Sequence, residues 1–480
     1  MHDHAHDVRP AGLQRSLNQD SKVPWASRVV FWPLLAVVLL APLPFASVNE
    51  WAWAPLTAIT AAILSVWVVL LIIGKLRVAV PAKKVAFTGT LFLLVVIWIV
   101  AQSLPYTPIS WHHPAWHQAA QSLGTTVLGS ISLDKDLTYS ALTRLLWYVT
   151  VFWLSLQLCR TERLARQALN ALALAAFVYA FYGLFVEFTG IRMVLWTKKY
   201  AYFDNVTSTF INRNSYATYA GIGLICLTAV MARRFASVPV VETTFAARMV
   251  DTIELVFARG WHFLVAWAAI VTALLLTDSR AGVVAGFIGL FTFLGSLALS
   301  RAISRKAVLS TLALLLTAVT GFLLMSGDAV LRRMAKTIGI SDIRFELYDI
   351  TLGIIAKFPL VGTGYGTFSR AYQMYHPNTP RIRVPVHHAH NTYLENALEL
   401  GIVAASALTL AVAYLAIMCL RGIRRRRQDI FYPAVGVGAS VLVGAHSLVD
   451  FSLQIPAVAT TYAFLMGLAC AQSWSKREGV

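Results

Sequence analysis

Between about Arg28 and Trp474 the chain is a succession of apolar runs, each about long enough to cross a bilayer. Inside hydrocarbon an unpaired backbone N–H or C=O costs several kcal/mol, so runs of this kind must be helices. The expected fold is an all-α polytopic membrane protein with about twelve transmembrane helices. Their approximate ranges are 28–47, 52–73, 85–103, 141–158, 166–188, 214–232, 261–277, 282–300, 307–325, 393–420, 431–449 and 455–473. A soluble domain carries about 25% charged residues; this chain carries 13%, with 58% hydrophobic residues.

The 40 Lys and Arg outnumber the 22 Asp and Glu, giving a formal charge of +18. In a soluble protein that surplus would suggest nucleic acid. Here it concentrates in alternate short loops, which excludes the nucleic-acid reading and sets a topology instead. The basic positions are Lys75, Arg77, Lys83 and Lys84; Arg160, Arg163 and Arg166; Arg233, Arg234 and Arg248; Arg301, Arg305 and Lys306; Arg421 and Arg424 to Arg427; and Lys476 and Arg477. With the Arg9, Arg15, Lys22 and Arg28 tail taken as cytoplasmic, all of them fall on that side, and both termini are cytoplasmic. The expected organisation is a polar tail over 1–27, spans one to nine over 28–325, a large outer loop over 326–392, spans ten to twelve over 393–474 and a short tail over 475–480. No signal-peptide layout is visible at the N-terminus. Four dispersed cysteines give neither a zinc knuckle nor a redox pair. The opening Met1-His2-Asp3-His4-Ala5-His6-Asp7 reads as a polar tail.

The outer loops 104–140, 189–213 and 326–392 are rich in His, Trp, Tyr and Pro. The last, between spans nine and ten, should be partly helical. Ile343 to Phe358 reads as an amphipathic helix with Phe345, Tyr348, Leu352, Ile355 and Ala356 on one stripe, ended by Phe358-Pro359. Gly362-Thr363-Gly364-Tyr365-Gly366 reads as a turn, and Phe368 to Tyr375 as a second short helix. The turn lacks the spacing and the βαβ surroundings of a nucleotide site. No P-loop, serine elbow or Asp-x-Asp pair is present, so a donor embedded in the bilayer fits better than a nucleotide sugar.

The chemistry concentrates in His387-His388-Ala389-His390-Asn391-Thr392-Tyr393-Leu394-Glu395. Thr392-x-x-Glu395 fits a capping box, which starts the tenth span near Tyr393 and sets His390 and Asn391 at its positive end. That end disfavours imidazolium, and a neutral imidazole is what a general base for an attacking hydroxyl needs. The plainer alternative is an interfacial loop histidine bonded to backbone. Zinc held by His387, His388 and His390 is a weak third reading without a fourth ligand at helix spacing. Arg280, in the tight turn Asp278-Ser279-Arg280 between two runs, is costly at membrane depth unless it pairs or faces a polar cavity. Its possible structural partners are Asp278 and Glu395. Asn212-Arg213-Asn214 opens another span from the same side, and Arg344, Arg370, Arg381 and Arg383 lie in the outer loop. Guanidinium groups suit forked recognition of phosphate oxygens.

The stretch His390-Asn391-Thr392-Tyr393-Leu394-Glu395 with Glu399-Leu400-Gly401-Ile402 resembles the signature of the bacterial O-antigen ligase/polymerase superfamily. So do Phe210-Ile211-Asn212-Arg213-Asn214, Ser279-Arg280-Ala281-Gly282, and the Arg344 helix leading into Phe358-Pro359-Leu360-Val361-Gly362-Thr363-Gly364. The resemblance covers roughly residues 200–450. The family's Gly-x-x-Gly step after His-Asn keeps Gly401 here but has Ala404 at the second position. The resemblance implies an inverting, metal-independent glycosyltransferase of the bacterial inner membrane with its site facing the periplasm. It would move a glycan from undecaprenyl diphosphate to an acceptor hydroxyl, such as a sugar of the lipid A core, and no cofactor is expected. Carried over, His390 is the base and Arg280 the diphosphate ligand; Arg213, Arg344, Arg381 and Arg383, with Asn391, His388 and Asn212, are the candidate substrate-binding set. A polymerase acting on another lipid-linked repeat and a protein O-oligosaccharyltransferase are the near alternatives. A multi-span transporter would require similar halves, whereas this chain is lopsided.

Overall fold

The computed structural model describes residues 23–236, 260–300, 344–376, 386–426 and 429–474. The first half holds α1 (Trp25–Leu40), α2 (Glu50–Ile72), α3 (Ala86–Ser103), the short α4 (Pro114–Leu123), α5 (Lys135–Leu158) and α6 (Glu162–Phe188). A hairpin of β1 (Met193–Val194) and β2 (Thr197–Lys198) precedes α7 (Arg213–Ala236), α8 (Trp261–Leu275) and α9 (Arg280–Leu299). Then come α10 (344–357), α11 (Phe368–Tyr375), α12 (Thr392–Leu400), α13 (Ile402–Arg425), α14 (Phe431–His446) and α15 (Pro456–Ala471). Among the described residues seven helices are long and apolar enough to cross a membrane, and four shorter apolar helices accompany them. The chain is a polytopic helical membrane protein. The expected span 307–325 and the histidine-bearing tail lie outside the described residues.

The bundle core is formed where α9 packs on α14 and α7, and α15 on α5. At the α9–α14 crossing a side chain on Gly289 would strike the Gly438 carbonyl and Leu442, so these backbones approach through glycine.

The helix ends sort into two groups. At one, basic side chains cap carbonyls at helix C-termini, where the backbone dipole favours cations. Arg160 donates to the Ala471 and Trp474 carbonyls at 3.1 and 2.8 Å, Arg426 bonds Gln472, and Arg233 pairs with Glu162 at 2.8 Å. At the opposite end the N-termini of α7 and α12 meet the α14–α15 connector, residues 447–455, and Arg213 at the start of α7 reaches Asp278 just before α9.

Three expectations change. The tenth span is not one helix: it breaks at Gly401 (φ +77°) into α12 and α13. Breaking a helix orphans its last carbonyls, and here the last three find donors. Thr363 N–H bonds Leu398 O, Gly364 N–H bonds Glu399 O, and the Trp98 indole bonds Leu400 O at 2.8 Å. Gln102 adds a second bond to Glu399 O and one to Val361 O, each 2.8 Å. Gly362 (φ +68°) sits against this joint so closely that a Cβ would overlap the Glu399 carbonyl, and one on Gly401 would overlap the Leu360 carbonyl. The glycine-rich turn therefore docks the outer loop onto the α12–α13 joint, as its turn chemistry suggested.

The second change concerns α10. It ends before Phe358-Pro359 as expected, but its buried stripe is Leu347, Thr351, Ile354 and Ile355; Phe345 and Leu352 are 66% and 49% exposed. The sequence offers apolar residues on two faces, and the face that packs is the one meeting α11 and α12. The third is the capping box. Asn391, not Thr392, caps α12, accepting from Tyr393 and Leu394 N–H at 3.0 Å each. Thr392 instead ties into the connector, its N–H to Ser447 O and its hydroxyl to Asp450 O.

Candidate active site

Glu395 organises the residues before α12. Its buried carboxylate accepts from the Ala389 N–H at 2.7 Å and meets His388 Nδ1 at 2.9 Å. The His388 ring stacks on Phe451 with centroids 4.3 Å apart and planes at 17°. These contacts fix the chain on one side of His390, and the Asn391 cap fixes it on the other. Between them His390 adopts φ +52°, a left-handed conformation that costs a non-glycine residue about 1 kcal/mol and persists where surroundings enforce it. The Tyr348 hydroxyl of α10 donates to the His390 carbonyl at 2.9 Å, so the outer-loop helix is tied to this residue.

The His390 ring lies edge-on to Phe451 at 4.8 Å. Its Nδ1 is buried without a hydrogen-bond partner and stands 3.9 Å from Asp450 Oδ1, inside Coulombic range but too long for a hydrogen bond. The His390 side chain as a whole remains 30% exposed, whereas that of Asp450 is 0% exposed. Burial holds the imidazole below the usual histidine range; Asp450 opposes this, and Arg344 and His388 reinforce it. The direction agrees with the neutral histidine expected at the helix end, though burial, not the helix dipole, is the larger cause. Asp450 accepts from the Asn214 amide at 3.1 Å and from the Ser452 hydroxyl.

The candidate cations divide by commitment. Arg213 pairs with Asp278 at 3.1 Å, donates to Asn205 at 3.1 Å and stacks over Tyr202. Arg280 is exposed at the first turn of α9, where Ser279 caps Gly282 N–H, and among the described residues its guanidinium makes no ion pair. Its supposed partner Glu395 is taken by His388. Arg344, at the described start of α10, lies within electrostatic reach of both His390 and Tyr202. Arg370 pairs with Asp134. Arg381 and Arg383 lie outside the described residues.

Two candidates turn out to be used locally. The Asn212 carbonyl oxygen accepts from Asn214 and Ser215 N–H at 2.7 and 3.3 Å and so caps α7, while Asn391 caps α12 and donates to Leu448 O. Asp450 was not singled out from sequence, and Tyr348 and Asn214 were named only as a helix-stripe position and a motif residue, not as site residues. Asp450 carried the one available signal: an acid closing an apolar run is expensive and seldom idle. Among the described residues no three His, Cys, Asp or Glu side chains are grouped as a metal site would need.

The family model described as O-antigen ligase matches residues 264–409, just under a third of the chain. The matched stretch carries Arg280, Arg344, His390, Asn391 and the Gly401 joint. The resemblance to the O-antigen ligase superfamily is thereby borne out, and it supports a membrane enzyme of the ligase/polymerase type, acting in bacterial polysaccharide or lipopolysaccharide synthesis. No curated protein matches the chain.

Proposed function

We propose that this chain transfers a glycan from undecaprenyl diphosphate to an acceptor hydroxyl, with a lipid A core sugar as acceptor, at the periplasmic face of the inner membrane. The observation that carries the reading is His390 itself. Its backbone is held in an unfavourable conformation, one ring nitrogen faces a buried carboxylate, and the ring keeps an exposed edge beside arginine-bearing helix ends. At 3.9 Å the Asp450 carboxylate attracts a proton to Nδ1 through its charge, so Nδ1 carries the proton and Nε2 keeps its lone pair. The acceptor oxygen attacks the anomeric carbon, its proton passes to Nε2, and the bond from that carbon to the diphosphate oxygen breaks. One displacement inverts the anomeric centre. Asp450 stabilises the imidazolium that forms. Charge gathers on the departing diphosphate, where forked guanidinium contacts contribute most; Arg280 and Arg344 are the uncommitted or nearby candidates, and Arg213 the one already paired. The basic opposite end supports cytoplasmic termini.

The test is transfer in vitro by purified protein with a defined lipid-linked donor and alternative acceptors. His390→Ala should accumulate in the membrane and transfer nothing. Normal transfer by that variant would remove the assignment. Transfer to a second lipid-linked repeat in preference to lipid A core would make the enzyme a polymerase.

A further inference from the structure

Asp450 has a second oxygen, and it leads into the bundle. The Ser452 hydroxyl donates to Asp450 Oδ2, and the Thr218 hydroxyl of α7 donates to Ser452 Oγ at 2.9 Å. His446 Nδ1, at the end of α14, lies 2.6 Å from Thr218 Oγ1. All four side chains are buried. A hydroxyl has one proton to give. The Asn214 carbonyl at 3.4 Å and an unprotonated His446 Nδ1 could also take the Thr218 proton, but either choice would leave Thr218 and Ser452 at 2.9 Å with no proton between them, because the Ser452 proton is donated to Asp450. With its proton on Ser452, Thr218 can only accept from His446, so His446 carries its proton on Nδ1.

We propose that His446, Thr218 and Ser452 form one polarised chain of donors, His446 Nδ1–H to Thr218 to Ser452 to Asp450, and that all three are positioning residues for His390. The inference rests on the reading of His390 as the base. Every bond in the chain points the same way, and bonds so aligned strengthen one another in a low-dielectric interior. Together with the Asn214 amide on Oδ1, the chain supplies a buried carboxylate with donors from two directions. That fixes which carboxylate oxygen faces the imidazole. It also draws α7, α14 and the connector into one support for a residue on the loop before α12.

The order of the chain gives a test that packing cannot imitate. Ser452→Ala, Thr218→Val and His446→Leu each remove a donor with little change of volume. If the chain acts through Asp450, turnover falls in that order, with distance from the carboxylate. Ser452→Ala should lose about 10- to 100-fold in kcat, as expected of one hydrogen bond to a charged group. The KM for the lipid-linked donor should stay unchanged. Thr218→Ser and His446→Asn each return the missing donor and should restore most of the turnover. The assay is transfer by the full chain in lipid nanodiscs, read beside its thermal unfolding midpoint and beside His390→Ala. Wild-type kcat in Thr218→Val and His446→Leu, no rescue by His446→Asn, or losses that follow the unfolding midpoint would each overturn the chain while an inactive His390→Ala leaves the functional reading standing. An active His390→Ala would overturn that reading instead.

Discussion

Glu395 offers the sharpest test of how the site is held. In Glu395→Ala the buried Ala389 N–H loses its 2.7 Å acceptor and His388 loses its 2.9 Å partner. An abandoned buried donor costs about 1–3 kcal/mol, and a hydrogen bond to a carboxylate contributes a similar amount. The two losses share one side chain and do not simply add, so a destabilisation of about 3 kcal/mol is expected. Function should suffer more. The contact on Ala389 is one of the two restraints that keep His390 at φ +52°, and a relaxed loop would shift its ring. A displacement of about 1 Å in a reacting group costs on the order of 100-fold in rate. Glu395→Gln separates geometry from charge: its carbonyl can accept from Ala389 N–H while its amide donates to His388 Nδ1 in the other tautomer. The assay is kcat for transfer with the unfolding midpoint alongside. Glu395→Ala should fall by about 100-fold and unfold at lower temperature, while Glu395→Gln keeps most of both. Wild-type behaviour in the alanine variant, or equal damage in the two variants, would refute the argument.

Three further outcomes follow. Arg280→Ala should reduce transfer by about 100-fold or more without lowering the unfolding midpoint, since the guanidinium makes no ion pair among the described residues; Arg280→Lys should recover little, because lysine cannot fork. Gln102→Leu leaves Val361 O and Tyr365 N–H without their buried partner and Glu399 O with only the Gly364 N–H, and should cost about 3–5 kcal/mol, read as a lower midpoint and faster proteolysis at the Gly362–Gly366 turn. His113 accepts from Ala115 N–H at Nδ1 and so donates through Nε2 to Tyr375, and burial lowers its pKa to about 4. The unfolded chain then binds the extra proton between pH about 6.5 and about 4. Stability is fully kept above that window and declines as pH falls through it, by up to about 3 kcal/mol; midpoints measured at pH 7, 5.5 and 4.5 should drop less in His113→Asn.

The apolar runs were legible because lipid leaves the backbone one solution: ten of the twelve expected ranges overlap single apolar helices in the described residues, and the tenth range holds a pair broken at Gly401. The α11 helix and the glycine turn were also readable, since both depend on local chemistry. What failed were choices made by distant partners. The split at Gly401 needs Thr363, Gly364, Trp98 and Gln102 to receive the freed carbonyls, and no window around residue 401 contains them. The buried face of α10 was decided by what lay beneath it. At the site, His390 and Arg280 stood out because a titratable or charged group at a span end is costly. Asp450 gave the same signal but lies 60 positions from His390 in sequence, and only folding brings its carboxylate to 3.9 Å. Asn212 and Asn391 looked like substrate ligands because a capping asparagine and a binding one have the same sequence appearance; the hydrogen bonds show both in use as caps.

The joint at Gly401 separates two mechanical regimes. A continuous tenth helix would be a rod, and any tilt forced on it by a thicker or thinner bilayer would swing its far tip through several ångströms. With the ladder interrupted, α13 can lean while α12 stays latched to the connector through Thr392 and Asn391 and to α14 through Tyr393. The lipid-facing half of the segment thus works as a hinge leaf, and the imidazole it introduces is mounted on the frame.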